Sequence, residues 1–169
     1  MIHDASRFEF TRFFASSWRE IRVEYTAIAD SLVPWMERKL HDGGWDVFGL
    51  YDFPHGHPLE ANLRRCPRTR DLIERHVPRH GAAGFSVLAP GARIAPHEGW
   101  PGSFLRFHLP LIVPAGDCGL RVADTRVRWQ EGQPLVFDDR VRHEAWNLTQ
   151  APRVILLMDF IPPGEDLAP

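Results

Sequence analysis

Lysine is almost missing from this chain: of its 20 lysine and arginine residues, only Lys39 is a lysine. Schiff-base chemistry and the phosphate-cradling P-loop both need a placed lysine. No GxxxxGK[ST] run occurs either, so both are set aside. Cysteine is nearly as scarce. Cys66 and Cys118 make neither a disulfide framework nor a cysteine-rich zinc site. No apolar run approaches the ~18 residues of a membrane-spanning helix. The start, Met1-Ile2-His3-Asp4, has neither the basic nor the apolar portion of a secretory signal, so a cytoplasmic location is expected. An excess of charge of one sign is also lacking. A net charge of −2 points to no nucleic acid and no strongly charged partner.

What is present is an ordinary globular composition. A length of 169 residues, with 44% hydrophobic and 25% charged residues, predicts one domain with a core that needs no staples. Nine histidines are the one compositional hint of chemistry.

The first 80 residues read as helical or mixed. Ser17-Trp18-Arg19-Glu20 has the pattern of a capping box opening a helix. Trp18, Ile21, Tyr25 and Ile28 follow at helical spacing, which predicts a buried stripe. After the Asp42-Gly43-Gly44 turn, Trp45–Tyr51 is a strand candidate, and a short helix is expected around Arg70 to His76. His55-Gly56-His57 has no third ligand nearby and reads as a solvated loop. Beyond residue 80, short β-prone runs alternate with turn signals such as Pro90-Gly91, Glu131-Gly132 and Ala151-Pro152. That rhythm indicates a sandwich or barrel, with the jelly roll as the common eight-strand solution. The expectation is a single domain over 1–169: mainly β, with the N-terminal part packing on a roll built from 81–169.

Two histidines stand at strand edges. His97 ends Ala95-Pro96-His97 before a Gly/Pro-rich loop, and His143 follows Asp138-Asp139-Arg140-Val141-Arg142. In a jelly roll such positions converge at the mouth, and two imidazoles suit Fe(II), Zn(II) or Cu. A facial iron triad would add a carboxylate two residues after the first histidine, where Gly99 stands. Glu98 points away from His97 by strand alternation. Asp138 and Asp139 read as an Asp-rich turn. Asp138 and Glu144 are the groups expected to orient the histidines.

Two arginines sit in unusual company. Arg153 interrupts the apolar run Val154-Ile155-Leu156-Leu157, and Arg106 shares a strand face with His108 by period 2. A buried unpaired guanidinium is costly, so each calls for an anion.

These segments carry a resemblance. Ser86-Val87-Leu88-Ala89-Pro90-Gly91, Ile94-Ala95-Pro96-His97-Glu98-Gly99, Leu105-Arg106-Phe107-His108, Cys118-Gly119-Leu120, Trp129-Gln130-Glu131-Gly132, Phe137-Asp138-Asp139 and His143-Glu144-Ala145-Trp146 follow one another in order, closed by Arg153 and Asp159. A weaker match reaches back to Gly44-Trp45 and Cys66-Pro67. The set resembles the aspartyl/asparaginyl β-hydroxylase family of Fe(II)- and 2-oxoglutarate-dependent oxygenases, over roughly three-quarters of the chain. The resemblance implies a double-stranded β-helix, a cupin-like jelly roll. It implies iron on His97 and His143, with Gly99 in the usual carboxylate place. A vacated ligand place of that kind is similar to that of iron halogenases, where it admits chloride. It further implies 2-oxoglutarate held by Ser86, Arg106, His108 and Arg153, with Trp45 alongside, and O2 as oxidant. Arginine suits a dicarboxylate because it gives two parallel hydrogen bonds. Arg106 is open to two readings, gripping cosubstrate or a substrate carboxylate.

The implied reaction is hydroxylation of an unactivated C–H with release of succinate and CO2. At the positions where family members surround an Asp or Asn target with polar groups, this chain has Val47, Gly84 and Phe104. An amino-acid-derived small molecule, a peptide or a carrier-bound substrate is therefore expected. The competing reading is a cupin-type metal-dependent isomerase or ligand-binding protein that does not use 2-oxoglutarate. Arg153 with Ser86 discriminates, since a cupin has no need to place them.

Overall fold

The computed structural model describes residues 1–164. Eleven strands follow one another: β1 (Ile2–His3), β2 (Val33–Pro34), β3 (Trp45–Tyr51), β4 (His80–Leu88), β5 (Arg93–His97), β6 (Leu105–Ile112), β7 (Cys118–Val122), β8 (Thr125–Val127), β9 (Leu135–Phe137), β10 (His143–Asn147) and β11 (Arg153–Phe160). Three α-helices interleave: α1 (Thr11–Ile28), α2 (Glu60–Leu63) and α3 (Pro67–His76). The strands form two antiparallel sheets. The larger has the order β1-β9-β6-β11-β4-β3-β2, and the smaller β5-β10-β7-β8. Two facing sheets whose strands cross between them make the double-stranded β-helix.

Period 2 sorts the chemistry. On one face of the large sheet, Phe48, Phe85, Phe107, Leu109, Val154 and Leu156 pack in a core with Phe14, Ile21 and Ile28 of α1. Phe14 meets Phe107 edge-on, with ring centroids 5.3 Å apart. Their sequence neighbours turn the other way. Trp45, Ser86, Arg106, His108, Arg153, Ile155 and Leu157 face the small sheet across an inner chamber. Because alternate side chains of a strand point to opposite faces, one apolar face fixes the register of the polar one.

The N-terminal part is not merely an overlay on the roll. β3 lies inside the large sheet, paired with β4 from Trp45↔Leu88 to Tyr51↔Ala83, and β1 extends the far edge against β9. The expected capping box also falls elsewhere: α1 begins at Thr11, so Ser17 and Glu20 are mid-helix. Ser17 is buried, and its hydroxyl accepts from Arg68 at 3.0 Å, a tertiary bond in place of a cap. The true start is set by Thr11, whose hydroxyl donates to the carbonyls of Phe8 and Ala5. Of the predicted stripe, Ile21, Tyr25 and Ile28 are buried and Trp18 is half-buried. Both cysteines are buried and free. Among the described residues, no helix is long and apolar enough to cross a membrane.

The helical layer is clasped by one carboxylate. Glu24 of α1 accepts from the backbone N–H of Arg68 (2.6 Å) and of Thr69 (2.9 Å), and from the Thr69 hydroxyl (2.6 Å). These are the orphan donors of the first turn of α3, whose N-cap, Cys66, makes no side-chain bond. An anion here also meets the positive end of the helix dipole. Glu24→Ala is expected to lower stability by about 1–2 kcal/mol. In urea denaturation the midpoint would fall at unchanged m, with Glu24→Gln losing less.

Candidate active site

β5 and β10 place the two histidines directly opposite each other: His143 pairs with His97 in register, and their rings lie 4.2 Å apart. Each ring is oriented by backbone. His97 Nδ1 lies 2.8 Å from the Ala95 carbonyl, and His143 Nδ1 lies 2.8 Å from the Val141 carbonyl. A carbonyl only accepts, so both Nδ1 atoms donate, and the Nε2 lone pairs are left for another partner. Burial, and then the neighbouring His143, hold the His97 pKa below the usual 6.5, in the neutral, ligating form. The expected orienting carboxylates do not serve: Glu144 pairs with Arg121, and Asp138 with Arg140 at 2.8 Å.

The carboxylate at this site is Asp139, read from sequence as part of a turn. It is 4% exposed. Its Oδ1 lies 2.6 Å from Arg106 Nη1 and 3.2 Å from His143 Nε2. Burial works against its charge, but Arg106 and His143 outweigh it and hold the carboxyl below the ordinary carboxylate range. A Cβ built on Gly99 would fall on the Asp139 carboxylate. The glycine therefore makes room for an acid from another segment, and the gap inferred at that position is filled. With Nδ1 of His143 donating, its Nε2 and Asp139 Oδ1 are two acceptors face to face. Such an arrangement calls for a cation, proton or metal, beside them. Among the described residues, no cluster of three or more His, Cys, Asp or Glu completes a metal site by itself.

Arg106 is committed twice. Besides Asp139, it donates Nε at 2.8 Å and Nη2 at 3.0 Å to the two oxygens of Asp159, its cross-strand neighbour on β11. Burial disfavours its charge, and Asp159 and Asp139 reverse this, raising its pKa. The anion its context demanded is therefore the protein's own. Arg106 still lines both the inner chamber and the outer cavity beyond it.

Arg153 is the opposite case. It is 1% exposed, yet among the described residues it has no carboxylate partner. Nη1 donates to the Ser86 carbonyl at 3.3 Å, the guanidinium carbon lies 4.8 Å over the Trp129 ring, and Nε has no partner. Burial lowers its pKa to about 10. Beside it, His108 Nδ1 accepts from Trp129 Nε1 at 3.3 Å, which puts its proton on Nε2, a buried atom also without a partner. Burial and then Arg153 hold the His108 pKa well below 6.5. Trp45 Nε1 donates to Ser86 Oγ at 3.0 Å, leaving the serine proton to be given elsewhere. Unanswered donors from Arg153, His108 and Ser86 surround one small chamber of about 30 Å³ that His97 and His143 also line. Buried orphan donors are costly, so this is a place built for an acceptor.

Outside it lies a larger cavity of about 390 Å³, whose wall shares Trp45, Ser86, His97, Arg106 and Leu157 with the inner chamber. Of Val47, Gly84 and Phe104, the first two line it and Phe104 does not. The Phe104 ring lies instead against Gly81 and Gly102. Gly84 has its own reason: a Cβ there would meet the Phe48 carbonyl oxygen at 2.6 Å, so the close approach of β3 excludes any side chain.

A family model described as Aspartyl/Asparaginyl beta-hydroxylase matches residues 15–163. The ornithine lipid ester-linked acyl 2-hydroxylase of Rhizobium tropici is 40% identical over 124 residues, covering 72% of this chain and 43% of that protein. The human aspartyl/asparaginyl beta-hydroxylase is 31% identical over 159 residues, covering 89% of this chain and 21% of its own length. A Pseudomonas putida prolyl-4-hydroxylase shares the fold, with a TM-score of 0.59 and 20% identity over 89% of this chain and 88% of that one. Fold and family model together put the chain in the hydroxylase class of jelly-roll proteins. It belongs to the aspartyl/asparaginyl β-hydroxylase family, and it spans less than half the length of the two relatives described.

The double pairing of Arg106 has a measurable consequence. Arg106→Met strands two buried carboxylates and is expected to cost about 3–5 kcal/mol in chemical denaturation. A cosubstrate-gripping arginine without internal partners would show little loss in the protein alone.

Proposed function

We propose that this domain is a non-haem Fe(II)- and 2-oxoglutarate-dependent dioxygenase that hydroxylates an unactivated C–H bond of an amino-acid-derived small molecule, a peptide or a carrier-bound substrate. The observation that carries this reading is the set of unanswered donors from Arg153 and His108 beside the His97/His143 pair.

The residues fit the two absent groups. His97 and His143 would hold the metal through Nε2, with Asp139 as the adjoining negative charge. Arg153, His108 and Ser86 supply the cation and hydroxyl or imidazole donors that a carboxylate needs, in a dry site where such bonds are strongest. The inner chamber alone has room for only a water or two. A dicarboxylate held by Arg153 would extend beyond it, toward the wall of Trp45, Ser86, His97, Arg106 and Leu157 shared with the outer cavity. When bound, Fe(II) with 2-oxoglutarate and O2 supplies the oxidising power, and succinate and CO2 are released. The protein's share is to hold these groups in place, keep Arg106 from competing for the cosubstrate, and exclude water with Trp45, Trp129 and Phe137. The cupin-type alternative leaves the Arg153 and His108 donors unexplained.

The test is spectroscopic. Purified protein given Fe(II) and 2-oxoglutarate without oxygen should develop a weak visible charge-transfer band that is lost in Arg153→Ala. Tight zinc or nickel binding indifferent to 2-oxoglutarate, with no band, would favour the cupin reading. His97→Ala and His143→Ala should each abolish succinate formation, and substantial residual turnover in either would overturn the two-histidine assignment.

A further inference from the structure

We infer that Trp129 is a positioning residue of the inner chamber: its N–H fixes the His108 proton on Nε2, and its ring face holds Arg153 without taking any of that guanidinium's N–H donors. This rests on the oxygenase reading and names the residue that keeps two of its cosubstrate donors ready.

The first argument is how Trp129 is held. It lies in the 128–134 connection between β8 and β9 and is 5% exposed. Within that connection the Gln133 N–H closes a turn on the Gln130 carbonyl at 3.0 Å. Two further bonds tie it to β6 and its end. The Gly132 N–H donates to the Pro110 carbonyl at 2.9 Å, and the Glu131 carboxylate accepts from the Val113 N–H at 3.1 Å. β6 is the strand that carries His108. The indole is therefore set against His108 by bonds that neither side chain makes.

The second argument is what an indole edge can give. Its N–H only donates, so His108 Nδ1, 3.3 Å from Trp129 Nε1, has to present a lone pair. The imidazole is then neutral, with its proton on Nε2. Without that bond a neutral imidazole exchanges between two tautomers. Only one of them leaves a donor on Nε2, the buried atom that has no partner. Phe137 braces the same ring edge-on, with centroids 5.1 Å apart.

The third argument is what the ring face does for Arg153, whose guanidinium carbon lies 4.8 Å over it. A buried cation needs an attractive neighbour. A carboxylate would supply one, but it would take up the N–H groups, as Asp139 and Asp159 do with Arg106. An aromatic face attracts the cation and leaves the donors in the guanidinium plane for another acceptor. One indole thus serves His108 with its edge and Arg153 with its face, and all three side chains line the same chamber.

The first test needs no substitution in Trp129, no metal and no cosubstrate. Long-range proton–nitrogen NMR of the histidine-labelled protein should find His108 protonated on Nε2 and bare on Nδ1, with the signal assigned by its loss in His108→Gln. A proton on Nδ1 overturns the inference. Trp129→Phe keeps a ring beside Arg153 and removes the N–H, so His108 should move to a mixture of tautomers. In the anaerobic Fe(II) titration the same variant should weaken 2-oxoglutarate about tenfold, the effect of one hydrogen bond. Trp129→Leu also removes the ring face and should weaken it about tenfold further. 2-Oxobutanoate, which has the same oxo-acid end but no distal carboxylate, should bind alike in all three proteins. Trp129 also packs in the apolar cluster between the sheets. A merely structural role would weaken both oxo acids together, or leave the His108 tautomer unmoved in Trp129→Phe, and either result overturns the inference. If the parent shows the Nε2 tautomer yet gives no band with Fe(II) and 2-oxoglutarate, the oxygenase reading fails and the pairing of Trp129 with His108 stands.

Discussion

The buried ion cluster of Arg106 with Asp139 and Asp159 is the constraint around which the site is arranged. It ties β6 to β11 through Asp159 and draws in the loop before β10 through Asp139. Desolvating three charged groups is costly, and only near-ideal geometry offsets it. Here the guanidinium answers both oxygens of one carboxylate and reaches the second with a separate nitrogen. Asp139 is thereby fixed against His143, four residues along the chain, and Gly99 leaves the space it occupies. The negative charge beside the histidines comes from a neighbouring loop instead of from the strand that carries His97.

That arrangement divides labour between two arginines that look alike in sequence. Arg106 is satisfied by the protein and acts as a positioning group. Among the described residues Arg153 has no acid beside it, its pKa is lowered by burial, and its hydrogen-bonding capacity is directed at a chamber. A site that kept both arginines free would carry two unanswered charges in the core. A site that paired both would have nothing left for a ligand.

Much of this was legible from residues alone. The strand Trp45–Tyr51, the late β-rich rhythm and the pairing of Arg106 with His108 on one face follow from period 2, which the sheets obey. His97 and His143 were legible as a pair because both stand at strand edges next to turn signals. Asp139 was not. An Asp-Asp pair after a strand is ordinary turn chemistry, and its burial depends on Arg106, 33 residues earlier in the chain. The helix start was misplaced for a similar reason. Ser17 has the local pattern of a cap, but its hydroxyl is taken by Arg68 from another helix. The family resemblance implies Phe104 at the substrate wall, whereas the loop conformation turns its ring onto Gly81 and Gly102.

By itself, the sequence determined most of the strands, the face each strand residue occupies and the place of two histidines at strand edges, because these depend on local periodicity and residue type. Only the tertiary structure decided which arginine is free. A guanidinium in an apolar strand demands an anion whatever its neighbours in sequence. Whether that anion is a protein carboxylate or a ligand depends on which distant segment folds against it, and no local pattern encodes that.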